Sequence, residues 1–214
     1  MTGRRQVELD AALKVIGTES ATAVAGDVAD LGDLDRLYDA VRARGAGLDV
    51  LFANAAVAAI LPLEQVTEEH FDQIFSINVR CTLFTVQKGL PLLNEGASVI
   101  LNASTSADKG GEGIGTYAAS KAAVRSLTRT WANELRGRGI RVNAISPGPT
   151  DTEGMTDMVG EDNAAAFKAD LAAGLAIGRI ARPEEIAAAA FLASNESSFV
   201  FGANLYVDGG EKQA

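Results

Sequence analysis

The stretch Ala97-Ser-Val-Ile-Leu-Asn-Ala-Ser104, ASVILNAS, decides the fold. Its apolar side chains do not alternate with polar ones, since Val99, Ile100 and Leu101 follow one another directly. An alternating strand has one wet face, whereas a strand apolar throughout is covered on both. Leu48–Ala55 (LDVLFANA) reads as a second buried strand and Ile140–Ser146 as a third. Helical periods separate them. A long helix is predicted from Thr67 toward Leu92, striped by Phe71, Ile74, Phe75, Val79 and Val86. Another runs from Tyr117 to Arg136, with Val124, Leu127, Trp131 and Leu135 on one stripe, which fits either a core or an oligomer face. Strand, helix, strand, helix with strands of this kind predicts an α/β fold with a doubly wound parallel sheet. In that class ligands sit beyond the C-terminal ends of the strands.

Working outward, Leu34–Arg44 and Gln6–Ile16 read as helices and Ala21–Val28 as a short strand. On the other side Pro183 opens a helix through Leu192, with proline in the first turn where its missing N–H costs least. Leu205–Asp208 is a last strand closed by Gly209-Gly210. The span 151–180 mixes acids with isolated apolar residues (Met155, Met158, Val159, Phe167). It reads as a substrate lid or, equally, as a surface loop with a helical turn. No repeat divides the 214 residues, and 1–214 reads as a single domain.

Composition narrows the function. The formal charge is 19 − 28 = −9, a poor match to a nucleic-acid backbone, which needs clustered Lys and Arg. A single cysteine, Cys81, excludes an intrachain disulfide, and a single histidine, His70, argues against a zinc site, so no metal is expected. No apolar run has the length of a membrane span and no secretory signal is visible, so a cytoplasmic protein is expected.

Three strands end in polar or turn residues at one sheet edge: Asn54, Ser104 and Pro147-Gly148. Thirteen residues after Ser104 comes Tyr117, across a connection rich in glycine (Gly110, Gly111, Gly113, Gly115). Tyr117 and Lys121 are four apart and share a helix face. A nearby ammonium is expected to lower the phenol pKa, making Tyr117 a usable acid and base. Such a pair recurs by chance on helix surfaces, and it is the context of Ser104 and the strand ends that gives it weight. Asn78 is an awkward polar residue between Ile74 and Val79.

In order, Asp27-Val28, Asn54-Ala55-Ala56, Asn78, Ser104, Tyr117-Ala-Ala-Ser-Lys121, Pro147-Gly148-Pro149-Thr150-Asp151-Thr152 and Val207-Asp208-Gly209-Gly210 resemble the classical branch of the short-chain dehydrogenase/reductase family. The resemblance runs along essentially the whole chain and implies a Rossmann-like fold. It implies hydride transfer between NADP or NAD and a carbonyl/alcohol substrate. Tyr117 would be the general acid/base, Lys121 would tune it and hold the nicotinamide ribose, and Ser104 would hold the substrate oxygen. Asn78 would support a proton-relaying water. Asp27 and Val28 would lie at the adenine, and Asn54 and Ala55 at the neighbouring ribose. Pro147, Gly148, Thr150 and Thr152 would line the nicotinamide. The resemblance also implies a homo-oligomer, a dimer or tetramer, joined through the helix of Tyr117 and the one before it. Arg4 and Arg5 fall where the family's second strand ends, and arginine there suits a 2′-phosphate, hence NADP in preference to NAD.

The sequence departs from the family at two places. The family's first strand, glycine-rich phosphate turn and first helix have no counterpart before Gln6, and the glycines at 110–115 lack G-x-G-x-x-G spacing. An N-terminally truncated domain is therefore expected. The strand Ala21–Val28 would close onto Leu48–Ala55, or the N-terminal third would be loosely held across a gap of roughly 10 Å. Ala56 stands where the family has glycine, a strained choice if that backbone needs positive φ. The competing readings are a working oxidoreductase and a non-catalytic truncated fragment or assembly subunit without cofactor. A cofactor-sensing regulator would leave Tyr117 and Lys121 free to change, so their presence counts against it. Cofactor titration separates the first two.

Overall fold

The computed structural model describes residues 1–212. The chain opens with a two-residue strand, β1 (Thr2–Gly3), then α1 (Gln6–Ile16), β2 (Val24–Ala25), α2 (Leu31–Ala43) and β3 (Leu48–Ala53). There follow α3 (Glu68–Phe75), a π turn over Ser76–Arg80, α4 (Cys81–Gly89), β4 (Leu93–Asn102) and α5 (Gly115–Leu135). The chain then forms β5 (Arg141–Pro147), α6 (Glu153–Val159), α7 (Glu161–Ala173), a 3₁₀ turn over Pro183–Ala188, α8 (Ala189–Ala193) and β6 (Asn204–Val207). Strands β3-β4-β5-β6 form one parallel sheet, with Ala53 beside Leu101 and Leu101 beside Ala144.

The apolar run of β4 is sorted by the pleat. Val99 and Leu101 join Val142 and Ala144 of β5 in a core with Tyr38, Val86, Val124 and Ala132 from α2, α4 and α5. Ile100 and Ile145 point the other way, against Leu192 of α8 and Ile186. Helices therefore cover both faces, as the unalternated sequence predicts. Each such fully buried aliphatic side chain contributes roughly 1.5–3 kcal/mol. Trp131 and Leu135 pack partly buried on the first core, so the α5 stripe is in good part core.

Several expected elements differ. The long helix from Thr67 runs unbroken toward Leu92 as expected, starting at Glu68 where Thr67 caps it by accepting from the His70 amide, but its middle widens into a π turn at Asn78. The strand expected at Ala21–Val28 is only two residues long, because the flanking backbone turns through an Asx motif at Asp27 and the α2 cap at Asp30. The span 151–180 is not a weakly ordered loop. It holds two helices, α6 capped by Thr152 and α7, joined at Gly160 (φ 81°). The helix expected from Pro183 to Leu192 is a 3₁₀ turn followed by a short α8. Ala56 is unstrained, since among the described residues no non-glycine has positive φ.

The N-terminal region resolves differently from both expected outcomes. β2 pairs in parallel with β1, in a separate two-stranded sheet, and does not close onto β3. The pair is fastened through its helix, not through the sheet. Lys88 of α4 pairs with Asp35, Arg80 donates to the Ala29 carbonyl at 3.2 Å, and the buried Tyr38 donates to the Thr85 carbonyl. Among the described residues no strand pairs with the outer edge of β3, and Val50 and Phe52 are 38% and 43% exposed on its second face.

Candidate active site

The parallel register of β3, β4 and β5 brings their C-terminal ends to one edge. Asn54 stands exposed just past β3. Its neighbour Asn102, the last residue of β4, donates from Nδ2 to the Asn54 side-chain oxygen at 3.0 Å and to its carbonyl at 3.2 Å. Asn102 also accepts, through its own carbonyl, a 2.8 Å hydrogen bond from Lys121 Nζ. One strand end thus orients Asn54 and anchors Lys121. The sequence reading passed over Asn102 because an asparagine closing an apolar strand looks like an ordinary turn residue.

Two residues on, Ser104 is 8% exposed. Its extended backbone caps a 3₁₀ turn over Thr105–Ala107, and its hydroxyl accepts from the Ser106 amide at 3.2 Å. Tyr117 and Lys121 lie in the first turns of α5. Lys121 is only 2% exposed, and its ammonium sits 5.7 Å from the centre of the Tyr117 ring. Burial lowers the Lys121 pKa from 10.5 to about 8, because an ammonium loses its hydration there.

Tyr117 departs from expectation. Its phenol is held above its ordinary value by burial, with the Ser104 side chain pulling the other way. The predicted lowering by Lys121 does not appear. The ammonium is directed at the Asn102 carbonyl and lies near the ring, and the loss of solvent outweighs what remains.

Asn78 is 1% exposed at the centre of the π turn. Its side chain accepts from the Val57 amide at 2.8 Å and donates to the Val57 carbonyl and to Ser120 Oγ, each at 2.9 Å. Ser120 donates in turn to the Tyr117 carbonyl at 2.6 Å. Asn78 therefore bridges the loop after β3 to the second turn of α5, and Ser120, within the quoted Tyr-Ala-Ala-Ser-Lys stretch, is the link.

After β5 the chain turns at Pro147-Gly148. A Cβ on Gly148 would meet the Asp208 Cα at 2.8 Å and its carbonyl oxygen at 3.0 Å, so only glycine allows the two strand ends to approach this closely. Thr150 donates to the Gly148 carbonyl at 3.0 Å, and Thr105 Oγ1 reaches the Pro147 carbonyl at 3.3 Å. Thr152 is exposed, its hydroxyl capping α6. A hollow of about 300 Å³ lies against this turn, lined by Pro149, Leu175, Ile177, Val207 and Gly209 among others.

The remaining candidates lie on the smaller sheet. Arg4 and Arg5 are exposed past the end of β1, and Asp27 and Val28 follow β2 beside it. Asp27 is partly occupied: its carboxylate accepts from the Ala29 amide at 2.9 Å and its own amide donates to Asp33. Ala55 is exposed next to Asn54. The structure thus gathers Asn54, Ser104, Tyr117, Lys121 and, behind them, Asn78 around the β3–β4–β5 edge, while Arg4, Arg5, Asp27 and Val28 form a second group on β1–β2. Among the described residues no three His, Cys, Asp or Glu side chains are grouped to hold a metal, and no helix is long and apolar enough to cross a membrane.

Comparison with known proteins places this edge in context. A family model described as enoyl-(acyl carrier protein) reductase matches residues 2–212. Oxidoreductase asL5 of Sarocladium schorii is 44% identical over 214 residues, 99% of this chain and 84% of that protein. The 4-formylbenzenesulfonate dehydrogenase TsaC1/TsaC2 of Comamonas testosteroni is 35% identical over 194 residues, 89% of this chain and 77% of its own length. A solved mutant short-chain dehydrogenase/reductase of Serratia marcescens matches with a TM-score of 0.88 at 31% identity, over 99% of this chain and 86% of that one.

Proposed function

We propose, since this chain belongs to the short-chain dehydrogenase/reductase family of NAD(P)-dependent oxidoreductases, that it interconverts a carbonyl and an alcohol with Tyr117 as the proton donor and acceptor. The observation that carries this reading is the buried Lys121, hydrogen-bonded to the strand end that also orients Asn54, with its ammonium 5.7 Å from the ring centre of Tyr117. Lysine is almost never buried without a task or a partner.

The nicotinamide end of NADP or NAD fits the residues present. Asn54 offers an exposed carboxamide already held in place, and Tyr117 and Lys121 bring a hydroxyl and an ammonium to the same edge. The pyrophosphate is matched less completely, because the 214 residues contain no G-x-G-x-x-G turn. When bound, the cofactor supplies or accepts the hydride. The chain's own part is to hold the substrate oxygen between Ser104 and Tyr117 and to pass it a proton from the phenol. A phenol whose pKa is raised stays protonated at neutral pH, which suits donation to a carbonyl undergoing reduction. Arg4 and Arg5, exposed past β1, favour NADP through its 2′-phosphate. The absence of that turn from the 214 residues favours the other reading, a non-catalytic chain without cofactor binding. A homo-oligomer in the cytoplasm, formed through α3, α4 and α5, completes the proposal.

The test is a titration with NADPH and NADH followed by cofactor fluorescence, then turnover against a panel of aldehydes and hydroxyketones. The proposal expects saturable NADPH binding that Arg4→Ala weakens. It also expects turnover that Tyr117→Phe lowers by about 10²–10⁴-fold with binding little changed. A folded chain that binds neither cofactor at millimolar concentration sinks it and leaves the non-catalytic reading.

A further inference from the structure

Asp108 lies four residues beyond Ser104 and closes the 3₁₀ turn that Ser104 opens, its amide donating to the Thr105 carbonyl at 3.0 Å. Its carboxylate is a junction. One oxygen pairs with Arg125 of α5, and the other accepts from the Tyr206 hydroxyl of β6. Lys212 Nζ lies 3.8 Å from the same carboxylate and 3.4 Å from the Asp108 carbonyl. Alongside, Lys109 pairs with Glu211 at 3.4 Å. The chain after β6 is turned toward this junction by Asp208, which accepts from the Gly210 and Lys212 amides, each at 3.0 Å.

The pairing with Arg125 is not a loose surface contact. The two side chains are 22% and 16% exposed, so the charges are partly shielded from solvent, where attraction is stronger than at an open surface. Arg125 stands one helical step past Lys121, so Tyr117, Lys121 and Arg125 follow at intervals of four along α5. The segment from Asp108 to Tyr117 carries Gly110, Gly111, Gly113 and Gly115, and glycines leave a connection free to sample many conformations. Beyond Asp108, the Gly113 carbonyl holds the segment by accepting from the Leu61 amide at 2.7 Å.

We propose that Asp108 is a positioning residue for the Ser104–Tyr117 pair: its carboxylate, shared by Arg125 and Tyr206, sets how the loop carrying Ser104 meets the helix carrying Tyr117. The inference rests on the reading of Ser104 and Tyr117 as the groups that handle the substrate oxygen. Asp108 itself touches neither.

The chain has three tyrosines, so a chain labelled with ¹³C at the tyrosine Cζ gives three resonances, assigned with Tyr38→Phe, Tyr117→Phe and Tyr206→Phe. Ser104→Ala fixes how far the Tyr117 resonance moves when the Ser104 hydroxyl, which acts on the phenol, is removed. Asp108→Asn, which keeps an acceptor but loses the charge, is expected to move the Tyr117 resonance in the same direction as Ser104→Ala. Tyr206 should move with it and Tyr38 should stay still. Arg125→Lys, which keeps the ion pair, is expected to leave Tyr117 near its wild-type position. With a turned-over carbonyl, Asp108→Asn should lower kcat on the order of 10- to 100-fold and leave the cofactor KM unchanged. A Tyr206 resonance that moves while Tyr117 does not, in a chain whose melting is little altered, overturns the proposal and leaves a simple clamp on the C-terminal turn. A wild-type chain with linked resonances but no turnover would instead count against the catalytic reading alone.

Discussion

Replacing Lys121 with methionine tests the physical state of the site without a substrate. The fall in pKa from 10.5 to about 8, at ~1.4 kcal/mol for each tenfold change in proton affinity, makes charged Lys121 about 3 kcal/mol less favourable in the folded chain than in the unfolded one. Below pH 8 the amine is protonated in both states and the whole penalty is present. Between about 8 and 10.5 the folded chain has lost the proton while the unfolded chain still binds it, so stability rises with pH. The methionine variant lacks this term. From pH 7 to 9.5 the stability of the wild type relative to Lys121→Met should therefore increase by about 2 kcal/mol, as the penalty is relieved. Stopping at 9.5 keeps clear of Tyr38 and Tyr117, both raised by burial. Urea unfolding followed by the fluorescence of Trp131, the chain's one tryptophan, at several pH values gives the difference directly. Profiles that run parallel across this range would mean that Lys121 keeps an ordinary pKa, and the argument that a desolvated ammonium is built into the site would fail.

Further substitutions probe the frame around the site. Gly148→Ala forces a Cβ against the Asp208 backbone and should cost about 1–3 kcal/mol, read as a lower urea midpoint with unchanged slope. Asn78→Leu removes both partners of the Val57 peptide groups and should cost about 2–4 kcal/mol; hydrogen exchange should quicken at Val57. On the sheet, Ile100→Ala should lose about 2–5 kcal/mol, because Ile100 is 1% exposed. Phe52→Ser, at a side chain already 43% exposed, should lose less than about 1 kcal/mol by the same unfolding assay. Equal losses at the two positions would mean that the second face of β3 is covered in solution.

Periodicity made the strands and the larger helices legible, because burial on two faces writes itself directly into β4 and β5, while β3, apolar in the same way, buries only the face of Leu51 and Ala53. It failed where local hydrogen bonding overrides pattern. The π turn at Asn78 widens a helix whose stripe is continuous in the sequence, since one inward asparagine binds the Val57 backbone and Ser120. The span 151–180 gave little helical signal because α6 is short and the alanines of α7 are spread around it, so no apolar stripe stands out. Ser104, Tyr117 and Lys121 were readable as residue types at a spacing. The effect of burial on Tyr117 was not, because desolvation depends on what packs around the phenol and leaves no mark in the Tyr-x-x-x-Lys pattern.

Asn102 shows why the strand ends, more than the helix pair, define the site. Ala53 stands beside Leu101, and Asn102 beside Ile145. Continuing that register by one residue sets Asn54 next to Asn102, which is why the carboxamide of one reaches the other. Lys121 binds a backbone carbonyl at this position, not a side chain, so its anchor survives substitution of Asn102 but not a shift in register. Side chains alternate along a strand, and a slip of one residue would turn Ile100 toward the α5 face and Leu101 away from it. The packing that opposes such a slip is therefore the same packing that holds Lys121 against β4 and Asn54 in its place. The arrangement of the candidate site at the sheet edge depends on the two cores behind it as directly as on the residues at the edge itself.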